Sequence, residues 1–178
     1  MKARLAAFRP LVLVFAGFVL VQLVTAAVLF AMKLGCSLAS VEAFYRGAPD
    51  AMTRPRSLAG LLETTVPHLL AVPLTVFVIV HLVGWAGVLR RPALQLLARV
   101  TFALVLVGVA SGILVRFAWP ALSAVKLAAF LGLELTLVLW LVLLGIAFWP
   151  SRPLLEPETP RAAGEAAAAE AGHPLPTR

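Results

Sequence analysis

Cysteine occurs once in the 178 residues, at Cys36. One thiol closes no internal disulfide and builds no metal cluster. That excludes the four-helix disulfide oxidoreductases that work through a CxxC pair. Charged residues are also scarce, 13% of the chain against about 25% in an ordinary soluble domain. Histidine appears three times, at His68, His81 and His173. The sequence has no P-loop, dinucleotide fingerprint, zinc-ligand spacing or nucleophilic triad, so chemistry of the soluble-enzyme type has no residues to carry it.

What the chain has instead is apolar length. Hydrophobic residues make up 62% of it and the mean hydropathy is +1.01. Four apolar runs are long enough to cross a bilayer, at about 10–32, 66–89, 100–116 and 122–149. The first is roughly 22 residues, about 33 Å at 1.5 Å each, which matches the hydrocarbon thickness. It is about twice the h-region of a secretory signal, so an uncleaved first span is expected. The fold class that follows is all-α: a polytopic membrane protein of four transmembrane helices in an antiparallel bundle, within residues 1–150. The net charge of +7 sits mostly between the spans. It therefore bears on orientation in the membrane rather than on nucleic acid.

Residues 34–65 form the one long loop. Ser37 or Ser40 is expected to cap a short helix that ends at Gly47, and Ser57 a second over LAGLLE, lying in the interface before the second span. Pro73 is expected to kink that span between its histidines. Residues 151–178 are rich in Pro, Ala and Glu, and are expected to form a disordered cytoplasmic tail. Lysine and arginine favour both termini in the cytoplasm, with the long loop outside and a bacterial inner membrane as the setting.

Ionisable groups inside a membrane are costly, which makes them the candidates for function. An outer group gathers His68, Arg116 and Lys126, with Glu63 as a further candidate, at one membrane level. Arg116 and Lys126 either snorkel to the interface or line a shallow basic pocket for a head group, a quinone carbonyl or a haem propionate. A deeper pair, His81 and Glu134, either holds two helices together or forms a proton-relay or quinone site. Gly108-x-x-x-Gly112 and Ala128-x-x-x-Gly132 are small-residue patterns that allow the third and fourth spans to pack closely. Gln22 and Thr25 read as helix–helix hydrogen bonds.

Haem b is testable by counting ligands. Membrane cytochromes b place two histidines 14 residues apart on one helix, which returns them to one face. Here the step is 13, which turns His81 about 140° from His68. No other span supplies a histidine, so His68 or His81 can ligate haem iron only with a second chain. Two functions of different class follow. One is a non-enzymatic accessory or assembly subunit, with the lipid bilayer and a membrane-protein partner or homo-oligomer around it. The other is an electron- or proton-transfer protein that binds a quinone or haem b through His68, His81 and Glu134.

Overall fold

A computed structural model describes residues 8–48 and 52–148 of the chain. The tail expected to be disordered lies outside the described residues. Five α-helices are present among them: α1 (Arg9–Lys33), α2 (Leu38–Arg46), α3 (Leu58–Ala86), α4 (Arg91–Phe117) and α5 (Ser123–Phe148). A 3₁₀ turn, Pro120–Leu122, leads into α5. Four of the helices are long and apolar enough to cross a membrane, and the fold is an all-α four-span membrane bundle.

Helix ends follow the local chemistry. Pro10 and Pro92 sit in the first turns of α1 and α4, where a missing N–H costs nothing. Ser37 caps α2 in a reciprocal box with Ser40, each side chain accepting the other residue's backbone N–H at 3.1–3.2 Å. Gly47 ends that helix at φ 82°, and a Cβ there would meet the Thr53 carbonyl at 2.6 Å. Only glycine fits this close return of the chain.

Ser57 does cap a helix, accepting from the Gly60 N–H at 3.1 Å, but that helix does not stop after LAGLLE. It runs unbroken through Pro67 and Pro73 to Ala86, so the expected interfacial piece is the first two turns of α3 itself. Nothing between Glu63 and Val66 breaks the helix, and prolines are tolerated in membrane helices where side chains occupy the freed carbonyls. Likewise α4 begins at Arg91 rather than near Val100, which places Arg99 on the helix surface.

The 34–57 connection marks one end of the bundle, here the loop end. The 87–90 connection marks the other, the turn end. At the turn end Val12, Val19, Ile79, Val83, Leu143 and Leu144 close around Trp140, which is fully buried. Leu23, Val76 and Leu137 continue this core toward the middle. At the loop end α2 folds back over the spans, and Val41 and Tyr45 pack with Phe30, Leu61 and Val115. The closest pair of helices is α4 and α5, whereas α1 packs mainly on α5.

Candidate functional site

The first span, α1, packs mainly on α5, and toward the loop end a gap opens between α1 and the other spans. The gap is a cavity of about 570 Å³, within the usual range for small-molecule sites. All four spans contribute to it. Its apolar walls come from residues such as Val19, Leu23, Leu104 and Leu133, and polar side chains are set into them: Gln22, Thr25, Thr64, Thr75, His68, Lys126 and Glu134. Phe30 of α1 stacks on Phe130 of α5 at 3.7 Å along one side.

Lys126 is the most constrained of these groups. Its Nζ donates to the Gly108 carbonyl at 2.7 Å, across the α4–α5 interface. Lysines near helix ends usually extend to the interface, but this one turns inward and is mostly buried. Among the described residues no carboxylate lies within 4 Å of it, and the ion pair seen is Arg46–Glu42, at 3.9 Å. Glu134 lines the same cavity two turns further along α5, about 12 Å deeper.

His68 is held by its own helix. Its Nδ1 lies 2.7 Å from the Thr64 carbonyl. A carbonyl only accepts, so Nδ1 carries the proton and the Nε2 lone pair is left for another partner. His81 repeats the device on the Phe77 carbonyl, also at 2.7 Å, with its ring against that of Phe77. Both histidines are exposed, and the surroundings differ in that His68 lines the cavity and His81 does not. It sits where α3 packs on Trp140 to Leu144, about two turns past the level of Glu134. The structure therefore puts Glu134, which the sequence paired with His81, on the same cavity as His68 and Lys126 of the outer group. It leaves His81 apart from Glu134.

The arginine at the mouth is also a different one. Arg116 lies outside the lining; its Nε donates to the Arg56 carbonyl at 2.9 Å and ties the segment before α3 to α4. Arg56 lines the cavity, with its guanidinium 4.5 Å over the ring of Phe44. Tyr45 closes the roof. Burial pushes its phenol up to about 12, against the opposing pull of Arg56. Gly112 makes the seat: a Cβ there would meet the Tyr45 hydroxyl at 2.9 Å. So Gly112 admits the tyrosine rather than bringing α4 to α5. Gly108 and Gly132 do face the α4–α5 interface, against Ala129 and Leu104, while Ala128 is exposed. Gln22 and Thr25, expected to bond between helices, line the cavity.

Sequence reasoning missed Tyr45, Arg56, Lys33 and Thr75 as lining residues. The available signal was weak: a lone tyrosine on a capped helix, spaced to fold back over a glycine.

A family model for a transmembrane helical domain, Aq_1264_TM, matches residues 35–154. The chain belongs to this family. The matched segment covers α2 to α5 and thus every cavity residue except those of α1 and Leu34. No curated protein and no solved structure matches the chain. Membership in the Aq_1264_TM family establishes a transmembrane helical domain, and a small integral membrane protein in contact with lipid.

Proposed function

We propose that this protein is a non-enzymatic accessory subunit whose cavity holds a membrane-soluble, polar-headed ligand. One observation carries the reading: His68, Lys126 and Glu134 line a single apolar-walled space between α1 and the other three spans. Polar side chains set inside a membrane bundle without partners lower its stability. A ligand with a polar head and an apolar body offsets that cost. The setting proposed is a bacterial inner membrane with both termini cytoplasmic and the loop end outside. The partner is another membrane protein or a second copy.

Solvent extraction and mass spectrometry of the detergent-purified protein test this. A bound molecule near one per chain is expected, and it should be lost from a cavity-filling variant such as Thr25→Trp. A wild-type protein that carries nothing, and is not stabilised by any amphiphile titrated into it, would sink the proposal.

A second reading is electron or proton transfer with a quinone, favoured by an imidazole and a carboxylic side chain on one cavity. Both groups exchange protons, as a quinone carbonyl requires on reduction. Under this reading His68 and Glu134 act on the head group, and His81 has no part within one chain. Haem b finds one imidazole in the cavity, so its second ligand comes from another chain. A Soret band with a sharp reduced α-band in protein made with haem available is the sign of that site.

A further inference from the structure

The charges around the cavity mouth are of one sign. Lys33 ends α1, Arg56 lies in the segment just before α3, and Lys126 stands one turn into α5; all three line the cavity. The acid in the described lining, Glu134, is about 12 Å deeper than Lys126. The Gly108 carbonyl accepts one of the three N–H bonds of the Lys126 ammonium. Two donors and a full charge remain, and an ammonium inside a bundle is costly unless an anion meets it.

We propose that the ligand carries an anionic head, a phosphate or a carboxylate, bound at Lys126 with Arg56 and Lys33 at the mouth. Its hydrocarbon chain runs down the apolar wall of Leu23, Leu104 and Leu133 and leaves between α1 and α3. This rests on the ligand-binding reading above and narrows it to a class. Tyr45 and the threonines add hydrogen bonds suited to either acid. Phosphate and carboxylate share this chemistry and differ in source: a membrane phospholipid, or a free fatty acid.

The test is a thermal-shift and native mass-spectrometry titration of the full chain in neutral detergent. Four probes are used: phosphatidylglycerol, palmitate, a diacylglycerol with the same chains, and a short-chain ubiquinone. One or both acids should bind at least tenfold more tightly than the diacylglycerol. Lys126→Met should abolish that preference and Lys126→Arg should keep most of it. Arg56→Gln, on an exposed side chain, should weaken the acid several-fold, and it serves if Lys126→Met does not fold. Preference for phosphatidylglycerol alone assigns a phosphate head, and for palmitate alone a carboxylate. Equal binding of the diacylglycerol or the quinone overturns the anionic head and leaves the cavity reading standing. Binding of none of the four overturns both.

Discussion

At the turn end, Thr101 and Trp140 are both fully buried, and both are satisfied. Thr101 Oγ1 donates to the Leu97 carbonyl at 2.8 Å and accepts from the indole Nε1–H of Trp140 at 3.0 Å. Valines and leucines pack around that pair. At the loop end the same four helices hold an ammonium, a carboxyl and an imidazole around open space. One half closes its polar groups on one another; the other leaves them facing a cavity. A membrane bundle gains little from the hydrophobic effect between helices, since lipid is as apolar as leucine. The turn end therefore supplies close packing and the loop end is free to bind. Breaking one half should leave the other's property intact.

The largest expected effect is on packing. Trp140→Ala removes the side chain around which α1, α3 and α5 meet, and should cost about 3 kcal/mol, the low end for such truncations. Heating followed by size-exclusion chromatography would show a midpoint lowered by several degrees. Ligand binding, measured well below that midpoint, should be unchanged. Loss of binding in the folded variant would mean that the two halves are not separable.

Next comes the roof. Gly112→Ala places a methyl group against the Tyr45 hydroxyl and should cost about 1–3 kcal/mol. Tyr45 is the only tyrosine, so tyrosinate absorbance reads it alone. In the folded protein the phenol holds its proton up to about 12, whereas the unfolded chain releases it near 10. Between those values the unfolded state binds fewer protons, so stability falls as pH rises from 10 to 12 and is unaffected below 10. In Gly112→Ala the titration should move back toward 10, and the alkaline loss of stability should shrink with it. An unmoved titration would mean that α2 seats its tyrosine by some other contact.

Much of the bundle was legible because a bilayer dictates run length and punishes charge, so four spans and their charged exceptions stand out in one dimension. The join at Leu58–Ala86 was less so: LAGLLE and the second span each read as complete, and only the absence of a breaker between them makes one helix. The cavity was hardly legible. Whether Lys126 extends outward or turns to Gly108 depends on α4 lying close by, and its sharing a cavity with Glu134 depends on how the four spans pack. Helix rotation and tilt are set by packing against neighbours, which a span's own composition does not encode. For the same reason Gly112 read as a helix–helix contact when its neighbour is a tyrosine 67 residues earlier in the chain.

A smaller effect is expected at Thr101. Thr101→Val keeps the shape and removes the oxygen that accepts from Trp140, leaving a buried indole N–H. Interhelical hydrogen bonds of this kind are worth about 1 kcal/mol in a membrane. The midpoint should drop by less than in Trp140→Ala, with no change in the ligand carried. If Thr101→Val is as damaging as Trp140→Ala, the hydrogen bond rather than the ring volume holds the turn end.

The smallest effect is expected at His81, and it sharpens the comparison most. His68 and His81 have the same local chemistry: each Nδ1–H is spent on the carbonyl four residues back, and neither Nε2 has a hydrogen bond among the described residues. Only their surroundings differ, one on the cavity and one on the lipid-facing surface beside Phe77. His68→Ala should weaken ligand binding several-fold while the protein folds normally. His81→Ala should change stability by no more than about 0.5 kcal/mol, as a surface substitution does, and leave binding alone. The paired measurement cancels everything the two residues share. Equal and large losses from both would place His81 in a site completed by another chain, because within one chain it is two turns from Glu134 and outside the cavity that His68 lines.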